Sequence, residues 1–176
     1  MYKRQRQDCA EEIKIEADGS IKQVEVTSCG LNGKPLEGKG KYEARIACNL
    51  WSKKGCRFYG GLFKASKGCH PYFTQSGADR DSNPDQHIAN FGDGATAGFK
   101  YFEFDGAAEI SVEVCGSANG VMTVTDGVKT VAKIDIKPCK TRTAYSARLN
   151  VENGVKPLYF TYNGKGKLNF ISFTIA

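Results

Sequence analysis

The sequence lacks any long hydrophobic run. None of its 176 residues belongs to an uninterrupted apolar stretch of the roughly 18 residues that a membrane-spanning helix needs. The first eight residues carry basic side chains without the apolar stretch of a signal peptide. We therefore expect no membrane partner, and if the parent protein is exported, its signal lies upstream of this sequence.

The cysteines do not form a recognisable framework. There are seven of them, an odd number that excludes a complete set of disulfides, and no two are spaced as Cys-x-x-Cys. The absence of Cys-x-x-Cys excludes the usual zinc-binding and thioredoxin-like arrangements. We expect free thiols, several of them buried as small hydrophobic side chains, as is typical of the cytosol or an anaerobic habitat.

Catalytic motifs are also missing. The chain has only two histidines, His70 and His87, and neither lies near a Gly-x-Ser-x-Gly elbow or a reactive cysteine. The glycine-rich stretch 92–98 lacks the Gly-Lys-Ser/Thr of a phosphate-binding loop. No pair of acids stands out as the two carboxyl groups of a glycoside hydrolase. We expect a protein without catalytic activity of its own.

Acidic residues are scarce in the last quarter of the chain. The net charge is +6, and residues 129–176 hold nine Lys and Arg against Asp135 and Glu152. One interpretation is attraction to nucleic acid or to an acidic polysaccharide. The other is a solvated outer face, because these basic residues alternate with apolar ones. We favour the solvated face and expect no nucleic-acid partner, since no adjacent basic run occurs.

What the sequence does contain is strand patterning. Apolar and polar residues alternate in four successive runs, at 110–114, 132–136, 145–151 and 158–162. Asn-Gly and Asp-Gly pairs, which indicate hairpin turns, lie at 119–120, 126–127, 153–154 and 163–164. No stretch combines helical periodicity with a convincing cap. The pattern predicts an all-β sandwich or barrel.

The middle and the beginning of the chain differ from this pattern. Residues 64–87 read as one long polar loop, in which Tyr72 and Phe73 need burial or a ligand. Two alternating runs around residues 17–20 predict a hairpin near the start. The glycine-rich stretch 30–40 is typical of a linker or an extended crossing.

The acidic stretch 79–85 has the spacing that opens a helix–loop–helix calcium loop. Pro84, however, occupies the place of the required glycine, and Asn90 that of the bidentate glutamate. A solvated turn is favoured over a looser calcium site, which would use Asp79, Asp81 and Asp85. We expect no other cofactor.

Several short motifs near the start resemble a hydrolase segment. They are Arg-Gln at 6–7, Glu-Ile at 12–13, Ala-Asp-Gly-Ser-Ile at 17–21, Val-Glu at 24–25 and Thr-Ser-Cys-Gly at 27–30. Their order and spacing resemble the closing segment of the five-bladed propeller in glycoside hydrolase family 43, the arabinofuranosidases and xylosidases. The catalytic carboxylates of that propeller lie upstream. The resemblance implies a covalently attached hydrolase domain, with residues 1–40 packing on, or leading into, a second module.

Residues 41–176 are similar to carbohydrate-binding module family 6. The similarity rests on Ile-Ala-Cys-Asn at 46–49, on Ile-Ala-Asn-Phe-Gly-Asp-Gly at 88–94, and on Leu-Tyr-Phe at 158–160 followed by Leu-Asn-Phe at 168–170. It implies a jelly-roll β-sandwich that binds plant polysaccharide or oligosaccharide without cleaving it.

The resemblance also suggests site residues. In that family a sugar ring lies between two aromatic side chains and an asparagine hydrogen-bonds its hydroxyls; the asparagine position falls on Asn169 and the aromatic positions on Asn90 and Arg142. Three aromatic residues are alternative platforms: Tyr72, Phe73 and Trp51. The positions of the family's structural calcium ligands fall on Ala47 and Ile171, so we expect no calcium there.

These observations lead to two functional hypotheses. The first is a non-catalytic module that binds xylan or arabinoxylan and holds a family 43 hydrolase near its substrate. The alternative is a structural module that stabilises the hydrolase domain without binding sugar. Hydrolytic activity of the isolated chain is the least favoured interpretation.

Overall fold

The structure, a computed structural model, describes residues 10–55, 68–76 and 85–176. These residues form twelve β-strands and two single-turn 3-10 helices, at Gly30–Asn32 and Ala44–Ile46. No helix among them is long and apolar enough to cross a membrane. The predicted all-β fold is confirmed.

The strands form two sheets of six. In chain order they are β1 (Leu36–Glu37), β2 (Gly40–Glu43), β3 (Asn49–Trp51), β4 (Tyr72–Gln75), β5 (Gln86–Phe91), β6 (Thr96–Phe104), β7 (Glu109–Gly116), β8 (Asn119–Thr125), β9 (Thr130–Ile136), β10 (Cys139–Arg148), β11 (Gly154–Lys165) and β12 (Leu168–Ile175). Sheet 1 has the order β1-β6-β11-β8-β9, with β3 also paired to β6. Sheet 2 has the order β10-β7-β12-β5-β4, with β2 also paired to β12. Only the short pair β1–β6 is parallel among the described strands.

The core lies between the two sheets and is rich in phenylalanine. Alternate residues of each strand point into it, as the period-two pattern predicts. Phe170 and Phe173 of β12 contact Phe99 and Phe160 of sheet 1, with ring centroids 4.7 Å apart for Phe99 and Phe173. All four side chains are fully buried. Edge-to-face and tilted contacts of this kind add to the burial of apolar area.

The loops gather at two ends of the sandwich. One end, called here the apical end, carries the turns at 92–95, 117–118, 137–138 and 166–167. The other end, called basal, carries the turns at 105–108, 126–129 and 149–153. Strand β3 of sheet 1 ends at the apical end and strand β4 of sheet 2 begins there, so residues 52–55 and 68–71 lie at that end.

The predicted long loop at 64–87 is wrong in part. Residues 72–75 form strand β4, which pairs with β5 from Gln86 onward, and Phe73 opposes Ile88 on the core side. The polar residues of β4 concealed the strand, because Thr74 and Gln75 interrupt its apolar pattern. Residues 56–67 and 77–84 lie outside the described part of the chain.

Two of the predicted Asn-Gly turns are also wrong. Asn119 and Gly120 begin β8, and Asn163 and Gly164 lie within β11, where Gly120 and Gly164 face each other in register. A side chain at Gly164 would place its Cβ 2.5 Å from the Asn119 carbonyl oxygen. These glycines permit close approach of two strands rather than a turn. Asp126 and Gly127 do form the predicted turn, since Asp126 accepts hydrogen bonds from two following backbone N–H groups.

The predicted N-terminal hairpin is reduced to a single antiparallel bridge between Ile15 and Ile21. Further along, the backbone of Ser28 donates to the Lys100 carbonyl of β6 at 2.5 Å. Glu25 accepts hydrogen bonds from Lys100 and Tyr101 at 2.6 and 2.7 Å. These contacts fasten residues 25–29 to the edge of sheet 1.

We predict that Gly164→Ala destabilises the protein by about 1–3 kcal/mol, because the new methyl group would overlap the β8 backbone. Gly154→Ala is the matched control: its φ of +107° is also unfavourable for alanine, but no atom lies within 4 Å of the added Cβ. Urea unfolding of both variants isolates the cost of the overlap. Equal losses of unfolding free energy would show that backbone strain alone, and not close approach, requires glycine at position 164.

Candidate functional site

A row of side chains crosses the open face of sheet 2 near the apical end. Tyr72 of β4 opposes Ala89 of β5, and Asn169 of β12 opposes Cys115 of β7. Their strand neighbours, Phe73, Ile88, Phe170 and Val114, point into the core. Because successive side chains of a strand alternate between faces, the four row residues point outward. The β10 bulge that carries Arg142 lies level with Cys115 and ends the row.

Asn169 is the central polar residue of this row. Its position is determined by Leu168 and Phe170, which are both buried and hold the second residue of β12 on the outer face. The amide nitrogen lies 3.9 Å from the Cys115 sulfur, the one side-chain hydrogen bond that the described residues offer it. Sulfur is a weak acceptor. The amide therefore retains its capacity to donate to and accept from a ligand.

Arg142 lies across the same face. Its guanidinium donates to the Asp85 carboxylate at 2.6 Å, and this hydrogen bond is the main reason that the pKa of Arg142 is raised. Both side chains are a little over two-fifths exposed. Exposed ion pairs of this kind stabilise a protein by about 1 kcal/mol or less, so a ligand can displace this one at small cost.

Below the row, the face continues as a charged network. The Glu113 carboxylate accepts hydrogen bonds from the Ser172 hydroxyl at 2.8 Å and from Lys41 at 3.0 Å. The Ser172 hydroxyl first, and then Lys41, lower the pKa of Glu113. Glu113 is therefore ionised at neutral pH and is unsuited to act as a general acid.

Asn90 is used within the protein. Its amide nitrogen donates to the carbonyls of His70 and Gly68, at 2.8 and 3.2 Å, and its oxygen accepts from Lys167 at 2.6 Å. Its φ of +57° is one that asparagine tolerates better than most residues. The position that the resemblance assigns to an aromatic side chain thus anchors the 68–70 segment over the apical end.

The other predicted site residues lie in different parts of the structure. Tyr72 lies at the far end of the row, whereas Phe73 points toward the core and takes no part in it. Asp79 and Asp81 lie outside the described residues, and Asp85 pairs with Arg142. Within the described ranges, no three His, Cys, Asp or Glu side chains come together as a metal site. The five cysteines that can be described are free, and all are partly exposed rather than buried.

A second aromatic surface lies on the open face of sheet 1. The rings of Trp51 and Tyr159 are 6.0 Å apart and tilted by 46°. The Tyr159 ring lies against Gly98, where a Cβ would come within 2.7 Å of it. The alternation around residue 159 indicates that Tyr159 points outward. Nothing in the sequence shows that Trp51, more than 100 residues away, is its neighbour.

We predict that removing divalent cations leaves the melting temperature unchanged. Ala47 and Ile171, at the calcium positions of the resemblance, are apolar and only 9% exposed, so they offer no side-chain ligand. A thermal melt with and without EDTA makes the measurement. A large drop that calcium restores would contradict the prediction and would direct attention to Asp79, Asp81 and Asp85.

Comparison with known proteins gives one curated relative and several similar structures. No protein-family model matches the chain. A xylosidase/arabinosidase from Thermoclostridium stercorarium is 41% identical over 173 residues, which are 97% of this chain and 36% of the relative. The chain thus spans about a third of the length of that relative.

Among solved structures, a CBM6 module from Clostridium stercorarium in complex with cellobiose covers 82% of this chain and 98% of its own, with a TM-score of 0.61 and 13% identity. A family 6 carbohydrate-binding module from Clostridium cellulolyticum in complex with xylose covers 80% and 99%, with a TM-score of 0.61 and 11% identity.

A larger enzyme matches more of the chain. The glycoside hydrolase family 43 arabinoxylan arabinofuranohydrolase from Bacillus subtilis covers 94% of this chain and 33% of its own, with a TM-score of 0.64 and 17% identity. An identity of 41% over nearly the whole chain indicates common descent, and the structural matches show the same jelly-roll sandwich. The chain is therefore a homologue of part of a xylosidase/arabinosidase and has the fold of the family 6 carbohydrate-binding modules.

Proposed function

We propose that this chain is a non-catalytic module that binds xylan or arabinoxylan and keeps an attached hydrolase domain near that substrate. The observation that carries the proposal is the row on sheet 2. It places an uncommitted Asn169 amide between Tyr72 and Arg142 on one open face.

The row has the chemistry that a sugar chain requires. An asparagine amide donates and accepts at once, which suits neighbouring sugar hydroxyls. Tyr72 offers a ring face for the apolar C–H side of a sugar, and the Arg142 plane can stack and donate hydrogen bonds. Ala89 and Cys115, which lie on either side of Asn169 in the row, have small side chains. Five strands at about 4.8 Å spacing make a row of roughly 19 Å, which is long enough for an oligosaccharide.

Similar proteins support the choice of ligand. The two family 6 modules were determined with cellobiose and with xylose, and the larger enzyme acts on arabinoxylan. The curated relative is a xylosidase/arabinosidase. Xylose or a xylose-containing substrate is named for three of these four proteins, whereas cellobiose is a disaccharide of glucose.

The absence of catalysis is part of the proposal. Every described carboxyl group whose pKa departs from its ordinary value has it lowered, whereas the acid of a glycoside hydrolase needs a raised one. We therefore expect no turnover of aryl arabinosides or xylosides by the isolated chain. The release of nitrophenol, compared with a mock preparation purified in parallel, tests this. Turnover clearly above the mock would overturn the non-catalytic assignment.

A second candidate function is structural, and one observation favours it. Ile13, Ile15, Ile21 and Val26 are 46–68% exposed on the N-terminal segment. The two isolated modules match 80–82% of this chain, whereas the enzyme that also carries a hydrolase domain matches 94%. We infer that this apolar segment packs against an attached hydrolase domain. Sugar binding and this packing use different parts of the molecule and can coexist.

We predict that Asn169→Ala lowers affinity for soluble arabinoxylan by roughly 5- to 150-fold. The sugar hydroxyls that the amide would pair become desolvated without a partner, which costs about 1–3 kcal/mol. Affinity electrophoresis measures the change, with a thermal melt to show that the variant is folded. Asn163→Ala, an exposed asparagine on sheet 1, is the matched control and should bind normally.

Trp51→Ala distinguishes the two open faces. If it abolishes binding while Asn169→Ala does not, the sugar lies on the Trp51–Tyr159 surface and the assignment of the site to the row is wrong. If the wild-type chain binds no xylan, arabinoxylan or cello-oligosaccharide, the structural role is the function that remains.

A further inference from the structure

Basic side chains gather at the apical end of the sandwich. Seven are found there: Lys53, Lys54, Lys137, Lys140, Arg142, Lys165 and Lys167. The described acids at this end are Asp93 and Asp135, and Asp85 reaches Arg142 from the start of β5. At the basal end, by contrast, carboxylates from β1, β6, β7 and the adjacent turns are at least as frequent as basic residues. The solvated strand face favoured from the sequence therefore describes only part of the basic residues in 129–176.

The ammonium groups of four of these lysines have neither an ion pair nor a hydrogen-bond partner among the described residues. Lys53 pairs with Asp93 and Arg142 with Asp85, and Lys167 donates to two neutral oxygens. Lys54, Lys137, Lys140 and Lys165 are exposed and make no ion pair with a carboxylate in the part of the chain that the structure describes. Of these four, Lys137, Lys140 and Lys165 lie in or next to the connections that lead to β10 and β12, and these three are called here the apical lysines.

The apical lysines lie close along the chain to Arg142 and Asn169 of the row. Lys140 precedes Arg142 by two residues at the start of β10, and Lys165 precedes Asn169 by four across a tight turn. Lys137 begins the connection from β9 to β10. A ligand in contact with Asn169 would therefore come within reach of long, flexible ammonium groups on the β10 and β11 sides.

A neutral polysaccharide would gain little from such charges, since hydroxyl groups are recognised by hydrogen bonds to the amide and by aromatic contact. A polysaccharide with occasional carboxylates would gain from each lysine that one of them reaches. A dense polyanion fits less well, because the carboxylates of Glu113 and Asp85 lie on the same face and would repel a continuous line of phosphates.

We propose that the apical lysines make the module selective for xylan that carries uronic acid side groups over neutral xylan. This inference rests on the proposed binding of xylan at the row. Asn169 and Tyr72 would contact the neutral main chain, and the apical lysines would attract the carboxylates of its side groups.

The test compares glucuronoxylan with the same polysaccharide after its carboxyl groups have been reduced to alcohols. At low salt the full chain should bind the acidic form roughly fivefold more tightly, because several exposed ion pairs each contribute a small amount. The preference should disappear in 1 M salt, where the screening length is about 3 Å. Isothermal titration calorimetry or affinity electrophoresis gives both affinities.

Two triple variants show whether the apical lysines cause the preference for the acidic polysaccharide. The triple variant Lys137→Gln, Lys140→Gln, Lys165→Gln should lose the preference for the acidic form and keep its affinity for the reduced form. The triple variant Lys14→Gln, Lys39→Gln, Lys133→Gln removes the same charge from exposed positions elsewhere and should keep the preference.

Each of the other possible outcomes shows whether the selectivity or the proposed function is wrong. Equal affinity of the wild-type chain for both polysaccharides overturns the selectivity but not the proposed function. Equal losses in both triple variants show an effect of net charge only and also overturn it. Tighter binding of a single-stranded oligonucleotide, dependent on the same lysines, replaces it with a nucleic-acid site. Binding of neither polysaccharide contradicts the proposed function itself.

Discussion

The contact of Phe170 and Phe173 with Phe99 and Phe160 determines the position of strand β12, and the rest of the site depends on it. These four rings are fully buried and join the two sheets across the core. With Phe170 inward, Asn169 has to point outward. A shift of β12 by one residue would bury the amide and expose the rings, so the aromatic core specifies the register strongly.

The aromatic core also determines the role of Asn90, and with it the absence of an open sugar-binding cleft among the described residues of the apical end. Asn90 precedes the buried Phe91 and uses its amide to hold the 68–70 segment, together with Lys167. Residues 68–70 are therefore held over this end. The ligand surface that we propose lies on the open face of sheet 2, where Tyr72 and Arg142 stand on either side of Asn169.

The fold was predictable from the sequence because the interior alternates regularly, as in β7, where every second residue is a buried aliphatic. The site was predictable only in part. Asn169 came from a resemblance, and the alternation around it agrees with an outward side chain. The pairing of Trp51 with Tyr159, the strand at 72–75 and the Gly120–Gly164 contact depend on strand pairing between distant residues, which local patterns do not encode.

We propose that sugar lies across the row on sheet 2. A titration of the isotope-labelled chain with xylo-oligosaccharide, followed by two-dimensional NMR, tests it most directly. We expect chemical-shift changes at the Asn169 side-chain amide and at the backbone amides of Ala89 and Cys115, with little change around Trp51 and Tyr159. Changes confined to Trp51, Tyr159 and Gly98, or no changes at millimolar ligand, would contradict it.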